Sequence, residues 1–545
     1  MNALLDALRL HLPVLPVLLP VATAILLLLL GDGGSRGHGR HQLLTARRIA
    51  LVSGLIGLGV AVLLVLQADA GVLAVYRLGE WPAPYGIVLV VDRLSAMMVA
   101  LTALVALPVL LYACGGWDAQ GRHFHALFQF QLMGLNGAFV TGDLFNLFVF
   151  FEVLLIASYV LMMHGGGKER LRVGLHYVVL NLAASALFLI GVALIYALTG
   201  TLNLADLALR VPQVTGPDAT VLGAAAMVLL VVFGFKAALA PMSLWLPATY
   251  AASSAPVAAL FAIMTKVGVY AILRVHGVVF GDVAPAAGAA ASAALVAQPM
   301  LLPLGLLTSI TGVIGALAAQ TLARLVAWLT VASVGTVLAA LGLYGESAWS
   351  AALFYMAHST LIVAGLFLLA ELVGAQRGLA GGNLEPASPV AQPALLGTLL
   401  LLAAASSAGL PPLPGFIGKL MLLQASSGHA WGPAVWTVVL SVGFFTLIGL
   451  ARAGSLLFWQ VRQDLPSGAS GASPRLLAAT VSLVAASVAL SVWAAPVMRY
   501  TEAAARQLAD RAGYAAAVLA PAAGVSTDTT QPYTGRRTPA AGERR

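Results

Sequence analysis

Apolar runs of about 20 residues, separated by short polar segments, recur from one end of the chain to the other. A helix of that length spans the hydrocarbon core of a bilayer, and backbone groups in lipid must be satisfied within the segment. Each run is therefore predicted to be a transmembrane helix. The pattern predicts fourteen spans, near residues 12–30, 49–67, 92–114, 124–140, 144–163, 174–198, 221–240, 256–275, 299–318, 322–343, 349–373, 394–425, 433–457 and 475–495.

The composition supports a membrane location. Of the 545 residues, 60% are hydrophobic and 9% are charged, whereas about 25% are charged in an ordinary soluble domain. The formal charge of +8 does not indicate a nucleic-acid partner, because the arginines favour short loops and the C-terminal tail. The single cysteine, Cys114, excludes an intrachain disulfide and a cysteine-ligated iron–sulfur cluster. The first run has neither a charged n-region nor an A-x-A-like site, so we expect a span rather than a signal peptide.

Basic residues predict the orientation. They concentrate in the first loop and in the loop after the fifth span, which lie on the same side of the membrane. These residues are Arg36, Arg40, Arg47 and Arg48 in the first loop, and Lys168, Arg170 and Arg172 in the second. The positive-inside rule puts that side in the cytoplasm and both termini outside it. The last twenty residues of the tail, which is rich in Ala, Thr, Pro and Arg, are predicted to be disordered.

Two spans contain helix-breaking residues next to a lysine. In VVFGFKAALAPMSLWLP, Gly234 and Pro241 flank Lys236. In SSAGLPPLPGFIGKLMLL, three prolines and Gly415 precede Lys419. Proline removes a backbone donor and blocks the preceding turn, so both helices are expected to break. Paired broken helices in two halves of a chain indicate an inverted-repeat transporter, and a simple kink is the alternative.

The lysines are distributed unusually. Of 28 basic residues, four are lysines, and Lys236, Lys266 and Lys419 lie inside predicted spans. Arginine stays protonated under biological conditions, whereas a desolvated lysine can lose its proton near neutral pH. A charged side chain at mid-membrane costs at least about 2.5 kcal/mol. The placement therefore predicts that these three lysines have a function.

Two further titratable residues are candidates. Glu152, in FVFFEVLLIASY, is a carboxylate with long apolar flanks, and a neighbouring ammonium would lower the cost of its charge. His358, in FYMAHSTLIVAGLFLL, changes charge at ordinary pH, which suits a proton relay. The alternative for His358 is a helix–helix hydrogen bond.

Other charged or polar residues favour simpler interpretations. Residues near span ends are expected to be interface anchors; these are Asp92, Arg93, Glu371, Arg274, Arg324 and Arg452. His123 and His125 have no cysteine or carboxylate at ligand spacing, so no metal site is predicted. PGFIGKL is not a P-loop, because Leu413 and Leu420 replace required residues. The sequence has no dinucleotide-binding motif, and no cofactor is predicted.

Five motifs together resemble those of the D subunits of Mrp-type multisubunit monovalent cation/proton antiporters. They are FVFFEVLLIASY, FKAALAPMSLWLPATY, ALFAIMTKVGVYAILR, HSTLIVAGLFLLAE and GLPPLPGFIGKL, and the likeness covers roughly residues 80–460. The wider superfamily includes the antiporter-like subunits of complex I and of membrane-bound hydrogenases. The resemblance implies an all-α protein of about fourteen helices with two inverted five-helix repeats.

The resemblance also implies roles. Glu152 and Lys236 would form the coupling pair of the first repeat, Lys266 and His358 would be central relay residues, and Lys419 would end the relay in the second repeat. The expected divisions are N-terminal helices (1–122), a first repeat (123–280), a second repeat (295–460), a C-terminal helix (461–499) and a tail (500–545). Many relatives carry His-Ala-Pro after WLPATY, whereas this chain has Ala251, Ala252 and Ser253. A water or the pair Ser253–Ser254 would have to replace the missing histidine.

Three functions are compatible with these residues. The first is a transporter subunit, not an enzyme, that exchanges protons for Na⁺ or K⁺ with other antiporter subunits in a bacterial inner membrane. The second is a proton-pumping membrane subunit of a complex I-like or hydrogenase-type redox enzyme, which would use the same residues. The third is a structural membrane subunit. The amino-acid sequences of the motifs around Glu152 and Lys236 favour the antiporter.

Overall fold

Long helices form most of the computed structural model, which describes residues 10–31, 39–281, 293, 295–462 and 470–520. The first part contains α1 (Leu15–Leu30), α2 (Gly39–Asp69), α3 (Arg93–Ala113), α4 (Phe124–Val140), α5 (Leu144–Met163), α6 (Lys168–Thr199), α7 (Leu204–Arg210), α8 (Pro217–Ala237), α9 (Trp245–Ala252) and α10 (Ala255–Ile272). The second part contains α11 (Gln298–Ala318), α12 (Leu322–Leu341), α13 (Glu346–Ala375), α14 (Pro393–Ala408), α15 (Pro414–Ala425), α16 (Gly432–Gly454), α17 (Pro474–Val492), α18 (Ala494–Ala509) and α19 (Arg511–Leu519). Two short strands, β1 (Ala74–Arg77) and β2 (Val88–Val91), pair antiparallel before α3.

The prediction of an all-α polytopic membrane protein is confirmed. Among the described residues, twelve helices are long and apolar enough to cross a membrane. The other two predicted spans correspond to α4, which has 17 residues, and to the short pair α14 and α15. The total of fourteen spans therefore stays a prediction. Arg36 and the last twenty residues, on which the orientation and the disordered tail partly depend, lie outside the described residues.

Both predicted breaks are present. Helix α8 ends at Ala237, Ala238 has φ 61°, and a short 3-10 turn leads into α9. Helix α14 ends at Ala408, Gly409 has φ 88°, and α15 begins at Pro414. Left-handed glycine is favourable in such a C-cap because it has no Cβ. Each break therefore leaves helix ends, with their unpaired backbone groups, inside the protein.

The two halves share a local backbone arrangement. Asp143 caps α5 and forms an antiparallel bridge with Asn203, while Thr321 caps α12 and forms the same kind of bridge with Asn383. In both places, the residue after the cap donates its N–H to the residue before the asparagine, at 2.8 Å and 2.9 Å. Since the bridges recur at the second helix of each predicted repeat, they support an internal repeat.

The C-terminal segment differs from the prediction. Instead of a helix ending near residue 499, α18 continues to Ala509 and α19 follows it. Arg511 in α19 donates to the carbonyl oxygens of Ala208 and Val279 at 3.1 and 2.9 Å. Ser350 and Thr501 share a hydrogen bond of 2.9 Å. These contacts place the C-terminal helices over the ends of the membrane helices.

The C-terminal helices cover Asp92 and Arg274, which the sequence predicted to be interface anchors. That prediction is wrong, since both residues are 2% exposed and their side chains are joined by two hydrogen bonds of 2.6 and 2.9 Å. Tyr514 from α19 packs beside the Arg274 guanidinium. Burial by itself raises the pKa of Asp92, but the adjacent guanidinium outweighs burial and holds that pKa below its usual range.

Candidate functional site

Lys236 lies in the last turn of α8, directly before the first break. Its side chain is buried, and its Nζ donates to Asn181 Oδ1 on α6 at 3.0 Å. The ring centroid of Phe151 lies 6.0 Å from Nζ, which adds a weak cation–π contact. Among the described residues, the ammonium therefore has one direct polar acceptor, Asn181, in otherwise apolar surroundings.

Glu152, which is half-buried, is held by the same helix that holds Lys236. The Ser185 hydroxyl on α6 donates to Glu152 Oε1, and Ser185 lies four residues after Asn181, so their Cβ atoms are about 5–6 Å apart. Within the described residues, the ion pairs closer than 4.0 Å do not include Glu152 with Lys236. The predicted coupling pair is thus brought together through α6 rather than by direct contact.

Sequence reasoning missed Asn181 and Ser185. The signal is present, since Tyr177, Asn181 and Ser185 recur every four residues along one face of an apolar helix. Tyr177 shares a hydrogen bond of 2.9 Å with Ser158 and accepts at its backbone oxygen from Asn181 Nδ2 at 2.8 Å. This polar face of α6 links α5 to α8.

Lys266 lies in α10, which packs against both α8 and α13. It is fully buried, and its Nζ donates to the Thr265 hydroxyl at 3.2 Å. The close packing of α10 on α8 requires a glycine, because a Cβ on Gly268 would lie 2.5 Å from the backbone nitrogen of Ala237. Gly268 therefore brings the helix of Lys266 against the break that carries Lys236.

Lys419 contacts the second break from the helix that follows it. It lies on α15, and its Nζ donates to the carbonyl oxygens of Ser407 and Ala408 at 3.2 and 2.7 Å. These carbonyls belong to the last turn of α14, where backbone acceptors have no partner within the helix and the helix dipole favours a cation. The ammonium of one half-helix therefore stabilises the end of the other.

His358 is positioned by a helix outside both predicted repeats. Its Nδ1 lies 2.9 Å from Ser487 Oγ on α17, and both residues are buried. His358 and Lys419 line one cavity of about 20 Å³, together with polar residues such as Ser333 and Thr446. A polar cavity of this size holds one water molecule. A single water could therefore connect His358 with Lys419.

The sequence argument against a metal site considered only residues at ligand spacing and overlooked two residues that lie next to His125 in the fold. Cys114 and Asp118 lie beside His125, and the possible ligand atoms of the three residues are within 4.8 Å of one another. However, Arg47 donates to both Asp118 oxygens at 2.6 and 2.7 Å, and His125 Nε2 lies 3.0 Å from Oδ2. Burial and the Asp118 charge raise the pKa of the Cys114 thiol to about 12, which disfavours the thiolate that binds metal. The cluster is an ion pair that joins α2 to the loop before α4.

Glu371 was also predicted to be an interface anchor, and that prediction is wrong. Its Oε1 accepts from Trp117 Nε1 at 2.5 Å, and its Oε2 is buried without a hydrogen-bond partner among the described residues. The residue lines a cavity at the start of α10. Packing against α10 and the Trp117 loop, rather than distance from the helix end, determines its environment.

A helical bundle with two broken helices and buried titratable side chains is typical of secondary transporters, whose ion sites lie near mid-membrane. Comparison with known proteins narrows this class. The family described as "NADH:quinone oxidoreductase/Mrp antiporter, TM" matches residues 141–446.

Individual relatives agree with that family. The chain is 41% identical over 535 residues to the D subunit of a probable K(+)/H(+) antiporter of Rhizobium meliloti (strain 1021), covering 91% of this chain and 95% of that protein. It is 36% identical over 519 residues to the D subunit of a Na(+)/H(+) antiporter of Alkalihalophilus pseudofirmus, covering 93% and 99%. A chain in the structure of the Mrp complex from Dietzia sp. DQ12-45-1b superposes with a TM-score of 0.79 and 27% identity, covering 94% and 99%. The protein belongs to the NADH:quinone oxidoreductase/Mrp antiporter family of transmembrane subunits, among the D subunits of Mrp-type antiporters.

Proposed function

We propose that this chain is the proton-translocating D subunit of a hetero-oligomeric antiporter, in which it exchanges protons for Na⁺ or K⁺ together with other antiporter subunits. The observation that supports this most strongly is the arrangement of Glu152 and Lys236 beside α6. Each of these charged groups binds a neutral partner on the same face of that helix.

The arrangement suits a switch. A lysine with one neutral acceptor in an apolar environment can lose its proton at moderate cost, whereas a directly salt-bridged lysine could not. The charge on Glu152 stabilises protonated Lys236 from about one helical turn away, and a shift of α6 or α8 would change that stabilisation. Proton binding at Lys236 is thereby coupled to conformation at the first break.

The proton would continue from Lys236 to Lys266, then to His358 and Lys419. Helices α8, α10 and α13 pack in this order, which supports the sequence of transfers. Water molecules would connect the side chains, and the cavity between His358 and Lys419 has room for one. The five residues and the two five-helix repeats form one proposed proton path across the middle of the bundle.

The membrane location follows from the same proposal. The subunit would lie in the bacterial inner membrane, with the first turn of α6, which carries Lys168 and Arg170, in the cytoplasm and both termini outside it. The names of the relatives favour an antiporter over the complex I-like alternative, because they are called subunits of K(+)/H(+) or Na(+)/H(+) antiporters.

The experiment uses the assembled complex in everted membrane vesicles. Lys236→Ala and Glu152→Ala should each abolish the cation-dependent dissipation of a pH gradient while the complex still assembles. Lys168→Ala is the matched control, since Lys168 is the one lysine outside the predicted spans and is exposed. Normal dissipation by either Lys236→Ala or Glu152→Ala would refute the proposal.

A further inference from the structure

A small cavity lies among the first four long helices, and none of the five titratable residues of the proposed proton path lines it. Its volume is about 30 Å³, which is room for about two water-sized particles. The polar groups in its wall come from α1, α2, α3 and α4, and they belong to Pro16, Ser53, Thr102, Gln129 and Asn136.

The cavity lies deep in the membrane. Thr102 comes nine residues after Arg93, the first residue of α3, which is about 14 Å along the helix. The hydrocarbon core of a bilayer is about 30 Å thick, so Thr102 lies near its middle. The ion sites of secondary transporters are found at this depth.

Two buried amide side chains in the wall lack hydrogen-bond partners within the part of the chain that the structure describes. Gln129 is 1% exposed, and both its amide oxygen and its amide nitrogen are unpaired. Asn136 is 9% exposed, and its Oδ1 atom is also unpaired. Buried polar groups without a partner are costly, so the cavity requires an occupant that binds them.

A proline makes a backbone oxygen available in the same wall. Pro20 lies inside α1 and has no N–H, so it cannot donate to the carbonyl oxygen of Pro16, four residues earlier. That oxygen accepts from Asn136 Nδ2 at 2.9 Å instead, and it keeps a second lone pair. Backbone carbonyls released from a membrane helix in this way are ligands for Na⁺ in other transporters.

Hydroxyl groups add two more oxygen atoms to the wall. The Thr102 hydroxyl donates its one hydrogen to the Met98 carbonyl oxygen at 2.8 Å, so it can offer only lone pairs to an occupant. Ser53 Oγ shares a hydrogen bond of 2.9 Å with Thr23 Oγ1.

Oxygen acceptors therefore outnumber donors around the cavity. Five oxygen atoms compare with one unpaired donor, Gln129 Nε2. A water molecule donates only two hydrogen atoms, whereas one cation binds several oxygen atoms at once. The excess of acceptors favours a cation over water alone.

The charge of the wall indicates which kind of cation fits. Among the described residues, no charged side chain lines the cavity. Ca²⁺ and Mg²⁺ sites in proteins include carboxylates, which compensate for the double charge. Neutral oxygen ligands at membrane depth are instead used to bind K⁺ and Na⁺. The wall therefore suits a monovalent cation.

The length of the cavity also fits a cation with one water. Gln129 and Asn136 are seven residues apart on α4, which is about 10 Å along the helix. This distance is too long for both short side chains to bind one ion directly. A water next to the ion would connect it to the more distant amide.

We propose that this cavity binds one monovalent alkali cation, Na⁺ or K⁺, together with one water molecule. The inference deepens the proposed function and rests on it for the link with transport. The site would hold the cation that is exchanged for protons, in helices that precede both predicted repeats.

The first test is Thr102→Val in the purified, complete complex. Valine removes one ligand oxygen and has nearly the same shape. Binding is measured with radioactive sodium, and with radioactive rubidium as the probe for K⁺. The affinity for one of these ions should fall roughly tenfold, and the ion that is affected identifies the cation.

Thr480→Val is the matched control for this variant. Thr480 is also buried, and its hydroxyl donates to the carbonyl oxygen of Leu476, four residues earlier, at 3.0 Å. It lies on α17 and does not line the cavity. Thr480→Val should bind both ions as the unmutated complex does.

The second test measures transport. Asn136→Leu removes the ligand at one end of the cavity, so the cation concentration that gives half-maximal antiport should rise at least tenfold. Gln131→Leu is the control, because Gln131 is a buried amide on the same helix that does not line the cavity. It should leave the half-maximal concentration unchanged.

Unchanged ion affinity in Thr102→Val, together with an unchanged half-maximal concentration in Asn136→Leu, would overturn the inference and leave water as the occupant. Lys236→Ala separates this result from failure of the proposed function, because it should abolish antiport while the complex still binds the ion. An inactive Lys236→Ala beside a Thr102→Val complex with normal affinity would reject the cation site alone.

Discussion

Asn181 accepts a hydrogen bond from Lys236 Nζ at 3.0 Å, and this contact joins α6 to the end of α8 at the first break. One turn further along α6, Ser185 donates to Glu152. The two neutral side chains keep the opposite charges separate while holding both in place. We propose that the coupling pair that family resemblance implies acts together with Asn181 and Ser185, as a group of four residues.

Replacing Asn181 tests this bridge. Asn181→Leu leaves the Lys236 ammonium without its acceptor, which costs about 1.5–3 kcal/mol and should reduce antiport at least tenfold. The rate is measured in vesicles with equal amounts of assembled complex. His176→Leu, on the exposed face of the same helix, should have little effect, and an active Asn181→Leu variant would show that the bridge is dispensable.

Ser487 should position the His358 ring. Ser487→Ala removes the hydrogen bond to Nδ1, so antiport should fall roughly two- to tenfold and its pH profile should change. Ser487→Thr keeps the hydroxyl and should restore both properties. Ser482→Ala, on the exposed side of α17, is the control. An unchanged pH profile in Ser487→Ala would contradict a positioning role.

The buried pair of Asp92 and Arg274 should stabilise the fold rather than carry protons. Asp92→Asn leaves the guanidinium without its charged partner inside the protein, which costs about 3–5 kcal/mol. We expect a lower unfolding temperature of the purified complex. Asp69→Asn, at an exposed position, should leave that temperature unchanged, and equal unfolding temperatures for the two variants would disprove the assignment.

Asp143 predicts a pH dependence of stability. Burial raises the pKa of this cap residue from 3.8 to about 6, so the folded protein favours the protonated carboxyl. The protonated Asp143 carboxyl therefore contributes most to the stability of the folded protein below the pKa that it has in the unfolded chain. That contribution is lost as the pH rises through about 6.

Asparagine caps a helix about as well as aspartate but has no charge. Asp143→Asn should therefore gain stability relative to the unmutated protein as the pH rises from about 4 to about 6. Thermal unfolding of the two proteins across this range measures the difference. A difference that is constant with pH would show that the carboxylate carries no burial penalty.

The membrane helices, both breaks and the five titratable residues inside the apolar segments could be predicted from the sequence. The length of an apolar run and the positions of proline and glycine determine the structure of the nearby backbone, so they can be recognised in the sequence. A lysine such as Lys266 is likewise conspicuous in an apolar run. The partners of these residues could not be predicted in the same way. Neutral polar residues such as Asn181 and Ser185 are common in membrane helices, and Asn181 lies 55 residues from Lys236 in the chain.

Glu371 and Arg274 show a second limit. Position near a span end suggested the lipid interface for both residues. Their environment is instead set by segments distant in sequence, since Trp117 covers Glu371 and α19 covers Arg274. Burial of a residue at a helix end depends on tertiary packing, and tertiary packing cannot be inferred from the hydropathy of a single helix.

The central claim is that Lys236 must release and rebind its proton during each transport cycle. Lys236→Arg tests it directly, because arginine keeps the positive charge but does not deprotonate under biological conditions. In everted vesicles, an assembled Lys236→Arg complex should show no cation-dependent dissipation of the pH gradient, while Lys168→Arg should match the unmutated protein. Normal dissipation by Lys236→Arg would contradict the account.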